Sequence, residues 1–298
     1  MAFANCVVSA ALIGTALLSA CAATTTTTGP VTAASEGGGV LVPWQPGNAD
    51  AFQAGAAEER GARAAQGFLP VTIYRPEGAG PFPFVVLLHG CGGLYHEAMW
   101  TTWVTPWAEL FRTQGIGTAV VDSFTPRGVD QVCTRNVAGW AVRRADDAYS
   151  VRGWLAEQPY VDATRIAVMG MSNGGRTVLA AMRTTLKHPH PFVVGVALYP
   201  GCQSDVRSTF YAPLLVLIGG ADVVTPAHFC EEMKRAQPES APALELVIFP
   251  RGPHTFDMRL PDRTVLGMRL GYDPGADAGA CRQVIAFLTA HGVLRPPR

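Results

Sequence analysis

The chain has 298 residues, of which 48% are hydrophobic and 15% charged, with 23 Lys+Arg balanced by 23 Asp+Glu. A chain this long and apolar can bury a sizeable core as one α/β domain. Balanced charge without a basic patch or acidic tail argues against nucleic acid as a partner. Neither a metal-ligand cluster nor a dinucleotide fingerprint is present, so no metal or cofactor is expected.

Residues 1–21 read as a lipoprotein-type signal peptide. Val7 to Leu18 is apolar but too short to span a bilayer. It leads into Leu18-Ser19-Ala20-Cys21, which resembles the bacterial lipobox, so Cys21 would be lipidated after cleavage. No Lys or Arg precedes the run, where export signals usually carry positive charge, so an ordinary signal peptide or a misassigned start remains an alternative. Ala22 rather than Asp follows the cysteine, which points to an outer-membrane lipoprotein facing the periplasm; without the lipid the protein would be periplasmic. Membrane contact is expected only through that anchor. Thr24 to Thr28, Gly29-Pro30 and Gly37-Gly38-Gly39 cannot build a core, so residues 22–66 are read as tether and N-terminal extension. Residues 67–298 form the folded domain.

Leu69 to Arg75 reads as a strand and Pro76 to Pro81 as a turn cluster. Phe84 to Leu88 is a fully apolar strand ending in His89-Gly90-Cys91-Gly92-Gly93. Trp100 to Gln114 is helical, with Trp100, Trp103 and Trp107 on one face; they line either the core or a substrate pocket, and the core is the simpler reading. Gly117 to Val121 is a strand ending at Asp122. Trp140 to Glu157 is a helix, in which Asp146 and Asp147 among Arg143, Arg144 and Arg152 read as charge pairs on a solvated face. Asp162 reads as a turn-holding residue. Further strands are expected at Phe192 to Leu198, Pro213 to Ile218 and Leu244 to Phe249, and helices at Gly174 to Thr184, Ala227 to Arg235 and Ala278 to His291. Strands alternating with helices predict a mostly parallel sheet covered on both faces, with ligands bound beyond the carboxyl ends of its strands.

One stretch organises the chemistry. Ile166 to Met169 is a buried strand that runs into Gly170-Met171-Ser172-Asn173-Gly174 and then a helix. G-x-S-x-G in that setting is a nucleophile elbow, which lifts the serine above the sheet and aims helix N–H groups at the same point. A serine hydroxyl needs an adjacent base, and His254 lies in a Gly-Pro loop after the last strand. Asp222, also just beyond a strand, would orient the imidazole; Asp257, three residues from His254, is a competitor expected to bond locally instead. The N–H groups of Asn173 and Cys91 are the candidate oxyanion donors. A Cys91 nucleophile is disfavoured because no strand-to-helix elbow surrounds it.

These pieces together resemble the dienelactone hydrolase family. The matching blocks are Leu87 to Gly93, Asp122 to Gly128, Gly170 to Gly175, Gly219 to Asp222 and His254 to Phe256, spread over about Phe68 to Leu294. The resemblance implies an α/β-hydrolase fold and hydrolysis of a small-molecule ester or lactone by a nucleophile–His–Asp triad, here Ser172, His254 and Asp222. The best-known members carry cysteine where Ser172 stands, and a glutamate where Gly90 stands, so dienelactone itself is not the expected substrate. Arg127 and Arg259 lie near the family's carboxylate-binding arginines, with structural ion pairs as the alternative. A peptidase or acyltransferase using the same triad, and a non-catalytic surface lipoprotein, are the competing readings.

In such a fold Cys202 and Cys230 fall on one edge of the sheet, close enough for a disulfide, and Cys91 and Cys133 form a second candidate pair. Cys281 is then the free thiol.

Overall fold

The computed structural model describes residues 38–43, 67–95, 99–186, 188–265 and 267–295. The expected signal peptide, Cys21 and most of the tether lie outside those residues. Within them the chain forms an eight-stranded sheet. Its strands are β1 (Gly38–Pro43), β2 (Phe68–Tyr74), β3 (Phe82–Leu88), β4 (Gly117–Val121), β5 (Val161–Met171), β6 (Gly195–Leu198), β7 (Leu214–Gly219) and β8 (Leu244–Phe249). The helices are α1 (Thr105–Thr113), α2 (Val137–Ala156), α3 (Asn173–Met182), α4 (Ala227–Arg235) and α5 (Pro274–Ala290).

The strand order is β1-β2-β4-β3-β5-β6-β7-β8. From β4 through β8 each neighbouring pair is parallel, while β1 and β2 run antiparallel at one edge. The central strands β3, β6 and β7 are apolar along their whole length, because helices cover both of their faces. In β3, β4 and β7 nearly every residue is buried. Parallel strands put their carboxyl ends on one edge, where the loops after β3, β5, β7 and β8 gather.

Several elements depart from expectation. Gly38–Pro43, assigned by composition to the tether, pairs with β2 and buries Val42. Its polar flanks hid a short run, Val40 to Val42, that a neighbouring edge can accept. The tryptophan helix opens with a π-helical turn, Trp100–Val104, before α1. Its stripe is core: Trp103 and Trp107 are buried. The small hairpin β9 (Arg263–Val265) and β10 (Met268–Leu270) had no sequence signal and follows the His254 loop.

The arginine-rich face of α2 is the largest correction. It is solvated only in part: Arg143 and Asp146 are half-buried, while Arg144, Asp147 and Arg152 are buried. The helix lies across α3 and the sheet, so its charged side chains find partners inside. Asp162 behaves as expected, its carboxylate accepting from the Thr164 N–H and pairing with Arg165.

Candidate active site

The loop after β5 makes a sharp turn from strand into helix. Ser172 has φ 51° and ψ −114°, a region that costs a non-glycine residue roughly 1–3 kcal/mol. Two glycines make the turn possible. A β-carbon on Gly170 would collide with the Gly174 carbonyl, and one on Gly174 with the Leu88 and His89 carbonyls. The helix start therefore packs directly onto the end of β3. Ser172 N–H donates to Leu198 O at 2.9 Å, which anchors the elbow to β6.

The loops after β7 and β8 hold each other. Ala221 N–H donates to Gly252 O at 3.1 Å, and a side chain on Gly219 would strike that same carbonyl. This close approach brings Asp222 and His254 into one buried pair. His254 Nδ1 lies 2.7 Å from Asp222 Oδ2, and His254 Nε2 lies 3.0 Å from Ser172 Oγ. The three residues expected from sequence thus form one hydrogen-bonded chain. An imidazole so placed can take the proton of the hydroxyl while the carboxylate fixes its tautomer.

Asp222 is itself fixed. Its Oδ1 accepts from the N–H groups of Val224 and Thr225, at 2.8 and 2.9 Å, and its Oδ2 from the Thr225 hydroxyl at 2.8 Å. Thr225 was missed in the sequence reading, although a threonine three residues after an aspartate in a loop is a recognisable turn signal.

Asp257 does not bond locally as expected. Its Oδ2 accepts the indole N–H groups of Trp103 and Trp107, each at 2.9 Å, and its Oδ1 the Tyr199 hydroxyl at 2.6 Å. Burial pushes its pKa up to about 6, against these hydrogen bonds, which favour the charged form. Tyr199 in turn packs edge-on against the His254 ring. Nothing in local spacing pairs Asp257 with residues 150 positions upstream.

The oxyanion candidates sit beside the serine. Leu88 pairs with Gly170 in register, so His89-Gly90-Cys91 emerges next to Met171-Ser172-Asn173. A β-carbon on Gly90 would lie 3.7 Å from Ser172 Cβ, which puts this residue in direct contact range of the nucleophile. Asn173 opens α3, where backbone N–H groups lack intrahelical acceptors. Cys91 is bonded to Cys133, and its carbonyl accepts from Val132 N–H at 2.8 Å. The second expected disulfide, Cys202–Cys230, is also formed, and Cys281 lies outside both, its thiol donating to Asp277 Oδ1 at 3.8 Å.

The two arginines suggested for substrate carboxylate binding are engaged elsewhere. Arg127 is buried and forms a bidentate pair with Asp147, at 2.9 and 2.7 Å, and also donates to Ser123 O. Its place is structural, because the short turn at Thr125–Arg127 directs the side chain under α2. Arg259 is partly exposed and lies 3.7 Å from Asp277.

A family model described as the prolyl oligopeptidase family matches residues 134–212, which include the Ser172 elbow. No curated protein sequence matches the chain. Among solved structures, a provisionally assigned dienelactone hydrolase from Klebsiella pneumoniae is similar, at 20% identity and a TM-score of 0.57 over 75% of this chain and 94% of that one. A butyrate-bound thermophilic esterase from the planctomycete Thermogutta terrifontis is similar at 18% identity and TM-score 0.57, over 81% and 98% of the two chains. The same organism's esterase 2 phosphorylated by paraoxon is similar at 19% identity and TM-score 0.57, over 77% and 92%. The chain has the α/β-hydrolase fold. In an α/β-hydrolase the edge that carries Ser172, Asp222 and His254 is where the strand loops converge, as they do here.

Proposed function

We propose that the protein is an exported serine hydrolase that cleaves carboxylic esters or lactones through an acyl-enzyme intermediate. The observation that carries this reading is the chain from Ser172 Oγ through the His254 imidazole to Asp222, with distances of 3.0 and 2.7 Å.

In this mechanism Ser172 Oγ attacks the substrate carbonyl carbon as His254 Nε2 takes its proton. The carbonyl oxygen becomes an oxyanion and is met by the N–H groups of Asn173 and Cys91. Each such donor is typically worth about a hundred- to thousand-fold in rate. His254 then returns the proton to the departing alkoxide, and the alcohol leaves. Water, deprotonated by the same imidazole, attacks the acyl-serine; the bond to Ser172 Oγ breaks, His254 returns the proton to Oγ, and the acid leaves. Asp222 stabilises the imidazolium at both stages, held in turn by Thr225.

The esterases among the similar structures support an ester as substrate. The decisive test is labelling with a fluorophosphonate, followed by mass spectrometry of the peptide carrying Ser172. A stoichiometric adduct at Ser172, together with hydrolysis of p-nitrophenyl butyrate, is the expected result. Absence of both sinks the reading. The match to the prolyl oligopeptidase model over 134–212 favours a second reading, a peptidase on the same residues. A panel of short peptide amides separates the two.

Two disulfides support export, since such bonds persist in oxidising compartments. Among the described residues no helix is long and apolar enough to cross a membrane. We place the mature protein in the outer membrane by a lipid at Cys21, facing the periplasm. Mass spectrometry of the mature N-terminus tests this: an unmodified residue there rules the anchor out.

A further inference from the structure

We propose that Arg144 is a positioning residue for the oxyanion site, one buried guanidinium that ties together the two backbone segments carrying its donors. The inference rests on the serine-hydrolase reading above.

Arg144 projects from α2 and is fully buried. Its Nη1 donates to Asn173 Oδ1 at 2.7 Å, and its Nη2 donates to the His89 carbonyl at 2.7 Å. Asn173 supplies one oxyanion N–H. The His89 carbonyl belongs to the peptide immediately before the one that carries the Cys91 N–H. Between them lies Gly90, which has the widest backbone freedom of any residue. The Gly90 carbonyl, in the same peptide as the Cys91 N–H, accepts from His89 Nδ1 at 2.8 Å, so the orientation of that peptide follows the position of His89. Beyond Cys91 the chain is held by Val132 N–H and by the bond to Cys133. On the other side Arg144 holds His89 itself, through its carbonyl.

The elbow is tied in the same way. Asn173 Oδ1 receives Arg144, and its Nδ2 donates to Val137 O at 2.7 Å. Both contacts come from α2, so this helix sets the spacing of the two donor segments.

A purely structural ion pair does not account for the residue. Asp147, the carboxylate one turn along α2, uses both its oxygens on Arg127. Arg144 instead engages two neutral oxygens, a costly use of a buried cation. Burial pushes its pKa down to about 9, with Asp147 and Asp122 opposing and Arg127 adding to the fall, so the group remains charged at neutral pH. That buried charge lies on the protein side of both donor segments and favours negative charge in front of them.

The test compares wild type, Arg144→Met, Arg144→Lys and Ser172→Ala on p-nitrophenyl butyrate, with amide hydrogen exchange read by mass spectrometry on the same proteins. Arg144→Met is expected to lower kcat about a hundredfold, the worth of one oxyanion donor, with KM within about threefold. Arg144→Lys, which keeps a cation and donors, should recover about tenfold of that loss. Exchange should rise in peptides spanning residues 89–93 and 172–176 together, and not in β7. A folded Arg144→Met with kcat within threefold of wild type overturns the proposal. So does a loss that lysine does not relieve and that accompanies faster exchange throughout the core. Should Arg144→Met fail to fold, Asn173→Ala severs the same link from the other side while keeping the backbone N–H, and an unchanged kcat there refutes the idea equally. If wild type and Ser172→Ala are both inert to esters, the hydrolase reading fails by itself. The exchange data then decide whether Arg144 couples the two segments, and unchanged exchange in both overturns that coupling.

Discussion

The ring of Tyr199 stands edge-on to the imidazole of His254, with centroids 4.8 Å apart and planes at 65°. The Tyr199 hydroxyl is fixed by Asp257, and Asp257 by the indoles of Trp103 and Trp107. The imidazole therefore rests against a wall anchored in α1 and the turn before it. Tyr199→Leu removes the wall and is expected to lower kcat about tenfold, a modest fraction of what a catalytic proton-transfer group contributes. Tyr199→Phe keeps the ring but deprives buried Asp257 of one donor, and should cost about 1–3 kcal/mol of stability with kcat nearly intact. Steady-state kinetics and urea unfolding of the two variants check this. Equal kcat losses in both would contradict the packing argument.

Asp257 gives the fold a pH dependence. Burial raises its pKa from 3.8 to about 6. Between those values the folded protein holds a proton that the unfolded chain has released. The contribution of Asp257 to stability is therefore greatest below about pH 4 and is lost as pH rises through about 6. Asp277, also raised by burial, acts in the same direction, so the variant must be compared with wild type. Asp257→Asn should flatten the curve between pH 4 and 6 by about 3 kcal/mol. Parallel urea-denaturation curves for the two proteins over that range would disprove the assignment.

Ser172→Ala is expected to abolish ester hydrolysis with the melting temperature little changed, since alanine keeps the β-carbon at φ 51° and loses only the hydroxyl that faces His254. Asp222→Asn should lower kcat by up to about four decades by favouring the wrong tautomer of His254. Thr225→Val leaves Asp222 its two backbone donors. It should therefore cost only about tenfold, in line with the loss of one hydrogen bond of about 1.4 kcal/mol. Near-normal turnover in purified Ser172→Ala protein excludes the proposed nucleophile.

The disulfides should differ in what they protect. Cys202–Cys230 spans 28 residues and leads from the loop after β6 into α4. Its loss through Cys202→Ala/Cys230→Ala should cost about 3.6 kcal/mol in the chain-entropy model. Cys91–Cys133 restrains the segment that carries the Cys91 N–H. Cys91→Ala/Cys133→Ala should lower kcat as well as stability, with KM little changed. Denaturant unfolding and kinetics of the two double variants separate these effects. A Cys91→Ala/Cys133→Ala protein that is destabilised yet keeps full kcat would show that the second bond serves stability alone.

The sequence by itself determined the alternation of strands and helices, the elbow at Ser172, and the order Ser172, Asp222, His254 along one edge of a parallel sheet. Each of these is written locally: an apolar run has the period of a buried strand, and glycines mark where backbones must approach closely. It also limited the cysteine pairs, because the carboxyl edge of a parallel sheet gathers only certain loops. Tertiary structure alone decided which charged residues face inward. Arg143 and Arg144 are adjacent and chemically identical, and only the packing of α2 against α3 selects Arg144 to reach His89 O and Asn173 Oδ1. The same holds for Arg127, drawn from a proposed substrate contact to Asp147, and for Asp257, drawn to indoles 150 residues away. A buried charge goes to whatever partner the fold brings within about 3 Å, and chain spacing carries no record of that distance.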